Sequence, residues 1–308
     1  ALQRGVIAVL DVGTSKIGCL ILKFEGLEEK IDRDGVGSLA GQSGFQVIGS
    51  ALTKSRGIEY GEIVSMPETE RAIRTALQSA QKLANSRVDH VIACISGGSP
   101  RSYGLEGNVN IKSEIVDDRD IADVLGSCGI PAYEPDREIL HAQPVNFSLD
   151  HKTGLSDPRG QIGKNLSVDM HMLTIKEKTI QDLAYCIKRC DLELAGVASS
   201  SYVSALSSLV EDEKELGAAC IDLGGGSTNI SIFWKKHMIF AETIKMGGEL
   251  VTRDISMGLQ VPSSTAERIK TRNGGVVATG LDDREMIEIT SETGDWELDR
   301  RIISRSDL

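Results

Sequence analysis

Two short stretches carry residue types that could hold a phosphate. The first is Asp11-Val-Gly-Thr-Ser-Lys16 and the second is Asp222-Leu-Gly-Gly-Gly-Ser-Thr228. In each, Gly13 or Gly224, Gly225 and Gly226 would let backbone N–H groups approach an anion with no Cβ in the way. Thr14, Ser15, Ser227 and Thr228 add hydroxyl donors, and Lys16 adds a positive charge. Asp11 and Asp222 cannot meet phosphate oxygens directly, because like charges repel. They can hold Mg²⁺ through its retained waters while the metal neutralises the phosphates. One Asp-x-Gly turn alone is more often a plain hairpin; two with matching flanks reverse that reading.

The flanks do match. Val6–Leu10 is a continuous apolar run, as in a strand covered on both faces, and Ile17–Leu22 reads as the strand that returns. Ala218–Ile221 and Ile230–Phe233 repeat this order around the second turn, which implies an internal duplication with one copy opening each domain. No Walker sequence occurs. Gly224-Gly-Gly leads into a strand, whereas a dinucleotide fingerprint would lead into a helix. The hairpins therefore fit an actin-like ATPase arrangement better than a Rossmann one.

A third glycine turn, Gly247-Gly248, opens a helix over Leu250–Met257, and Ser263–Lys270 opens another with a Ser/Thr cap. Glu267 and Lys270 share a face of that helix: they are either a surface ion pair or a clamp on ribose hydroxyls. Cys186 and Cys190 stand one helical turn apart with no further Cys or paired His beside them, so core packing is the simpler use. Asp169 and Asp191 would be candidate bases only if the chain were a small-molecule kinase.

The elements that must position these residues follow from spacing. Ile73, Leu77, Ala80 and Leu83 place a helix over Glu68–Asn85, with Pro67 in its first turn. Helices are also predicted over Asp118–Cys128, Lys178–Cys190 and Ser200–Val210, and strands over Phe45–Leu52, Val88–Ile95, Asn108–Ile111, His141–Phe147 and Val168–Ile175. Residues 25–46 read as a polar loop. The net charge of −11 and the 4% of aromatic residues argue against a nucleic-acid partner. Six scattered cysteines suit a reducing cytoplasm, and no apolar run is long enough to span a membrane.

Taken together, the residues resemble the FtsA family of bacterial cell-division proteins. The resemblance rests on the two turns, on Met246-Gly-Gly-Glu through Ala266-Glu-Arg-Ile-Lys270, on Pro144-Val-Asn-Phe147 and Gly160–Leu166, and on Glu211-Asp-Glu-Lys-Glu-Leu-Gly217. It implies an α/β, actin-like (ribonuclease H-like) two-domain fold with duplicated mixed sheets and a small α+β insertion. Subdomain 1A would take 1–85 and 168–200, the insertion 1C 86–167, an incomplete 2A 201–245, and 2B 246–308. ATP and Mg²⁺ would be the cofactors. The resemblance also implies filaments at the inner face of the cell membrane at the division septum. FtsZ would be tethered by its C-terminal tail through 2B, and later division proteins recruited through 1C. Arg284, Arg300 and Arg301 could pair with an acidic tail, although solvation is the plainer use.

Two departures from the family pattern bear on activity. The place for a water-positioning acid or amide falls near Ser200, so slow ATP turnover is expected, with nucleotide acting mainly as a conformational ligand. The family would continue beyond Leu308 with an adenine turn and an amphipathic membrane helix, so membrane contact through this chain is not expected. The alternatives are a PilM-like pilus-assembly protein, a small-molecule kinase of the same superfamily, and a module that has lost nucleotide binding.

Overall fold

A computed structural model describes residues 5–24, 44–129, 135–277, 284–291 and 299–307. Most of the polar stretch 25–46 lies outside the described residues. The chain divides into two compact units, Ala1–Lys245 and Met246–Leu308. The first unit opens with β1 (Val6–Val12), β2 (Lys16–Phe24), β3 (Phe45–Lys54), the short β4 (Ile58–Glu59) and β5 (Glu62–Ile63), α1 (Met66–Ala84) and β6 (His90–Ile95). There follow β7 (Arg101–Asn110), α2 (Asp118–Ser127), β8 (Arg137–Leu149), β9 (Lys152–Leu155), β10 (Asn165–Lys176), α3 (Glu177–Arg189) and β11 (Glu193–Ser199). It closes with α4 (Ser200–Ser208), α5 (Glu211–Leu216), β12 (Ala218–Leu223), β13 (Thr228–Trp234) and β14 (His237–Ile244). The second unit holds α6 (Gly248–Leu259), α7 (Ser263–Asn273), β15 (Met286–Ser291) and β16 (Asp299–Ser304).

Strands β11-β6-β1-β2-β3 form a mixed five-stranded sheet, parallel at β11-β6-β1 and antiparallel from β1 to β3. The apolar run of β1 is buried on one face, with Ala8 and Leu10 at 0% exposed and Val12 at 4%, whereas Ile7 and Val9 on the other face are only half-buried, so the strand is not covered on both faces as its continuous apolar run suggested. Helix α1 lays Ala72, Ile73, Ala76, Leu77 and Ala80 on this sheet and stops at Asn85, whose φ of 48° takes the left-handed conformation. The approach is close: a Cβ at Gly49 on β3 would stand 2.4 Å from the Ala80 carbonyl oxygen and 2.8 Å from the Ala84 Cβ. Helix α3 adds Leu183, Cys186 and Ile187 to the same core. Cys186 and Cys190 are buried free thiols, each pushed up to about 11 by burial, and no metal-holding cluster occurs among the described residues.

A second sheet, β7-β10-β8-β9, carries α2 against it through Val124. Asp117 and Asp120 close the helix start with a reciprocal capping box. This sheet does not respect the limits 86 and 167. β6 pairs in parallel with β1 in the first sheet, whereas β10, running to Lys176, sits between β7 and β8 in the second. Both strands are apolar runs, and apolar character alone does not tell which sheet a strand joins. β7 and β8 are also longer than the expected Asn108–Ile111 and His141–Phe147. The part of β7 ahead of Asn108 includes Gly104 and Gly107. At Gly107 a Cβ would meet the Val124 carbonyl at 2.4 Å, so the residue that weakens the strand signal is the one that lets α2 in.

The third sheet, β12-β13-β14, is an antiparallel meander with α4 packed on it. Its core joins that of the inserted sheet through Leu173, Ala205, Phe233, Met238 and Ala241. β12 forms one edge and alternates, with Ile221 and Leu223 61% and 78% exposed; their counterparts on β1, Leu10 and Val12, are 0% and 4% exposed. Glu211–Glu213 does not merely close the preceding helix but starts one of its own, α5, which ends at Gly217 with φ 108°. In the second unit, Ile255, Val261, Ala266, Ile269 and Ile289 form a separate small core.

Candidate functional site

The two Asp-x-Gly turns are the same object built twice. In the first, the Gly13 N–H donates to the Lys16 carbonyl at 3.1 Å; in the second, the Gly224 N–H donates to the Ser227 carbonyl at 2.9 Å. Across the first hairpin Asp11 pairs with Gly18 and Val12 with Ile17; across the second Asp222 pairs with Asn229 and Leu223 with Thr228. Register and loop length are therefore identical. The first glycine leaves little room for a side chain in either turn: a Cβ would lie 2.8 Å from the Ser227 oxygen at Gly224, closer than a Cβ can stand, and 3.0 Å from the Lys16 oxygen at Gly13, a tight contact.

The turns face one another. A Cβ on Gly226 would fall 2.8 Å from both Cγ2 and Oγ1 of Thr14 and 3.0 Å from the Tyr60 nitrogen. Thr14 is nearly buried, and its Oγ1 accepts a hydrogen bond from the Gly61 N–H at 2.9 Å. Ser15 and Lys16 stay exposed at the tip, and Ser227 is buried. The Tyr60-Gly61 turn is a third participant that sequence reasoning missed. Both residues have positive φ, 52° and 77°, and Gly61 abuts Gly97, whose Cβ would stand 2.2 Å from the Gly61 carbonyl oxygen. The signal was the Arg56-Gly57 and Tyr60-Gly61 pairs just ahead of α1, which punctuate a tight double turn.

The carboxylates converge as well. Asp11 retains some solvent-facing surface, yet the crowding of protein around it raises its pKa, and the charge of Asp222 raises it further. Asp222 Oδ2 accepts hydrogen bonds from Ser204 Oγ at 3.1 Å and from Asn229 Nδ2 at 3.3 Å. Two neighbouring carboxylates beside two tight glycine turns are a hard-oxygen donor set. They suit a Mg²⁺ that keeps most of its waters and takes its remaining ligands from phosphate. The α4 residue that reaches Asp222 is Ser204. Ser200, the expected place for a water-positioning group, begins α4 one turn earlier, and α4 contains no acid or amide.

The other candidates lie on other elements. In the second unit, Gly247 caps α6, and Lys270 Nζ donates to the Gly248 carbonyl at 3.0 Å and to Thr252 Oγ1 at 2.7 Å. Glu267 accepts the Lys270 ion pair at 2.6 Å, so here the two charges serve each other and pin α7 to α6. Asp169 lies on β10 and accepts a hydrogen bond from Asn146, and Asp191 follows α3 beside Arg74. Neither joins the turns. Arg284 is exposed, Arg301 donates to the Leu259 carbonyl, and the Arg300 side chain lies outside the described residues.

Sequence families place this arrangement. The model for "Cell division protein FtsA" matches residues 219–308, and that for "SHS2 domain inserted in FTSA" matches residues 97–174, over the inserted sheet. The cell-division protein FtsA of Rhizobium meliloti is 34% identical over 285 residues, which cover 92% of this chain and 63% of that protein. The chain belongs to the FtsA family. The Pseudomonas aeruginosa FtsA is 32% identical over 94% of this chain and 66% of its own length, and the Escherichia coli FtsA is 25% identical over 96% and 66%. The chain thus spans between 63% and 66% of the length of these FtsA relatives.

Solved structures agree on the fold of this FtsA-family chain. A PilM–PilN type IV pilus biogenesis complex superposes with a TM-score of 0.59 at 12% identity, covering 87% of this chain and 69% of that one. The MreB5 protein of Spiroplasma citri bound to ADP superposes at 0.51 with 14% identity, covering all of this chain and 73% of that one. At such identities the likeness shows the actin-like fold alone. Among the described residues no helix is long and apolar enough to cross a membrane.

Proposed function

We propose that this chain binds ATP with Mg²⁺ at the paired turns and works as a nucleotide-responsive FtsA-type organiser of cell division. The observation that carries the nucleotide reading is the doubled hairpin, with identical register and with Thr14 packed against Gly226. Thr14, Ser15 and Lys16 on one side, and Gly225–Thr228 on the other, supply N–H, hydroxyl and ammonium groups for the phosphate oxygens, while Gly13 and Gly224, whose own N–H groups close the turns, keep the approach free of side chains. Asp11 and Asp222 hold the metal through water. Bound Mg²⁺ neutralises phosphate charge; orienting it and fixing the phosphates falls to the residues just named. Gly247, Gly248, Glu267 and Lys270 are assigned to the nucleotide by family resemblance. That assignment requires Glu267 and Lys270 to exchange part of their mutual pairing for ribose contacts.

Family membership supports the wider role: polymerisation at the inner membrane face, tethering of the FtsZ tail through residues 246–308, and recruitment of later division proteins through the inserted sheet. Helix α4 offers no acid or amide to position water, which supports slow turnover and a nucleotide that acts mainly by binding.

Two titrations test the two layers separately. In Mg²⁺, a fluorescent ATP analogue is expected to bind saturably, and Asp222→Ala to weaken it at least tenfold. A labelled FtsZ C-terminal peptide, followed by anisotropy with chain shown folded by circular dichroism, is expected to saturate in the micromolar range characteristic of transient contacts. Absence of nucleotide binding by folded wild-type chain sinks the first layer. Peptide indifference in a chain that does bind ATP sinks the second.

A further inference from the structure

The two aspartates assigned above to the metal are not held alike, although their hairpins are. Asn229 sits directly across the second hairpin from Asp222; the corresponding residue opposite Asp11 is Gly18, which has no side chain. Asn229 is 3% exposed, and its orientation is fixed because its Oδ1 accepts from Thr243 Oγ1 at 2.8 Å, which turns Nδ2 toward Asp222. Ser204 reaches the same Oδ2 from α4. The two donors, one from α4 and one from β13, take the same carboxylate oxygen, and none of the described hydrogen bonds engages Oδ1.

We infer that Ser204 and Asn229 are positioning residues that orient Asp222 for the metal. This inference rests on the nucleotide reading above. Donors fixed to one oxygen select one rotamer of the carboxylate and spare the cation from ordering it on arrival; such supporting hydrogen bonds typically change metal affinity by about 10- to 100-fold. Neither residue is among those assigned to the nucleotide. Asn229, anchored by Thr243 on β14, sets the plane of the carboxylate. Ser204 makes that setting depend on where α4 sits.

The test is a Mg²⁺ titration of the full chain in the presence of a fluorescent ATP analogue, alongside the same titration without metal in EDTA. Ser204→Ala is expected to raise the Mg²⁺ concentration at half-saturation by about tenfold while leaving the metal-free affinity of the analogue unchanged. Ser204→Thr, which keeps the hydroxyl, is expected to restore the wild-type midpoint, and thermal melts confirm that each variant is folded. Asn229→Ala is expected to shift the midpoint in the same direction. Asn229 is buried, so if its variant does not fold, Ser204→Ala decides the matter alone. An unchanged midpoint in Ser204→Ala overturns the inference, as does an equal loss of affinity with and without metal, the signature of a merely structural hydroxyl. If the wild-type chain binds the analogue without any Mg²⁺ dependence, the metal reading itself falls, and does so visibly before any variant is compared.

Discussion

Replacing Gly226 by alanine is expected to abolish ATP binding and to lower stability at once. The added methyl would need space that Thr14 already fills, 2.8 Å from its Cγ2 and Oγ1, with the Tyr60 backbone nitrogen at 3.0 Å. Thr14 cannot retreat freely, because its hydroxyl is tied to Gly61, and Gly61 is itself wedged on Gly97. The strain therefore spreads into backbone. Forced overpacking of this kind costs about 1–3 kcal/mol. The turns would also part, and phosphate groups held from both sides would lose one side. Gly18→Ala is the matching control, since its Cβ would meet only Asp11 Cβ and Leu52 Cδ1 at 3.8 Å, an ordinary contact. Melting temperature and analogue affinity together check the pair; equal behaviour of the two variants contradicts the facing of the turns.

Acid is expected to destabilise the chain between about pH 6.5 and 4, above the range where most carboxylates protonate. His171 is 2% exposed; burial, and then the neighbouring His141, lowers its pKa from 6.5 to about 4. Ser102 Oγ donates to the Ala241 carbonyl at 3.0 Å and accepts the Ala241 N–H at 2.8 Å, so His171 Nε2–H must be the donor in its 3.0 Å contact with that hydroxyl. Nδ1 is buried with no partner, and no group is placed to welcome a second proton. In this window the unfolded chain binds a proton that the folded chain refuses, so stability falls as pH falls. The difference between 6.5 and about 4 corresponds to about 3 kcal/mol, fully expressed only near pH 4. His141, lowered in the same direction by burial, adds to it. Glu70, Asp117, Asp150 and Asp157 have lowered pKa values, so their contributions begin to fall only as pH nears the unfolded values of 4.5 and 3.8, at the acid end of this window, and are lost mainly below it. Urea midpoints at pH 7, 6, 5 and 4 check this, with His171→Gln expected to flatten the profile. A wild-type midpoint that stays constant from pH 7 to 5 contradicts the burial of an uncharged ring.

What could be read from the residues alone was whatever a few consecutive positions decide. The two turns, the helices α1, α3, α6 and α7, and the duplication are local patterns of spacing and glycine, and they stand where the sequence placed them. What could not be read depends on partners far away in the chain. β10 resembles any apolar strand until it is seen between β7 and β8. Gly61 meets Thr14 from 47 positions away, and Ser204 looks like any helical serine until Asp222 arrives beside it. The contact of Ser204 is set by which face of α4 meets β12, and no run of consecutive residues reveals that face.

β14 has a further role in how movement is shared. At one end of it Thr243 grips Asn229, the residue that steadies Asp222. Two residues earlier, Ala241 exchanges both of its backbone hydrogen bonds with Ser102 of β7, and Met238 receives Gln143 of β8. The inserted sheet is thus fastened to the same strand that serves the second turn. Kinematically, β14 is a common rail: a shift of the second turn that slides this strand by an ångström must carry the edge of the inserted sheet with it or break the Ser102 seam.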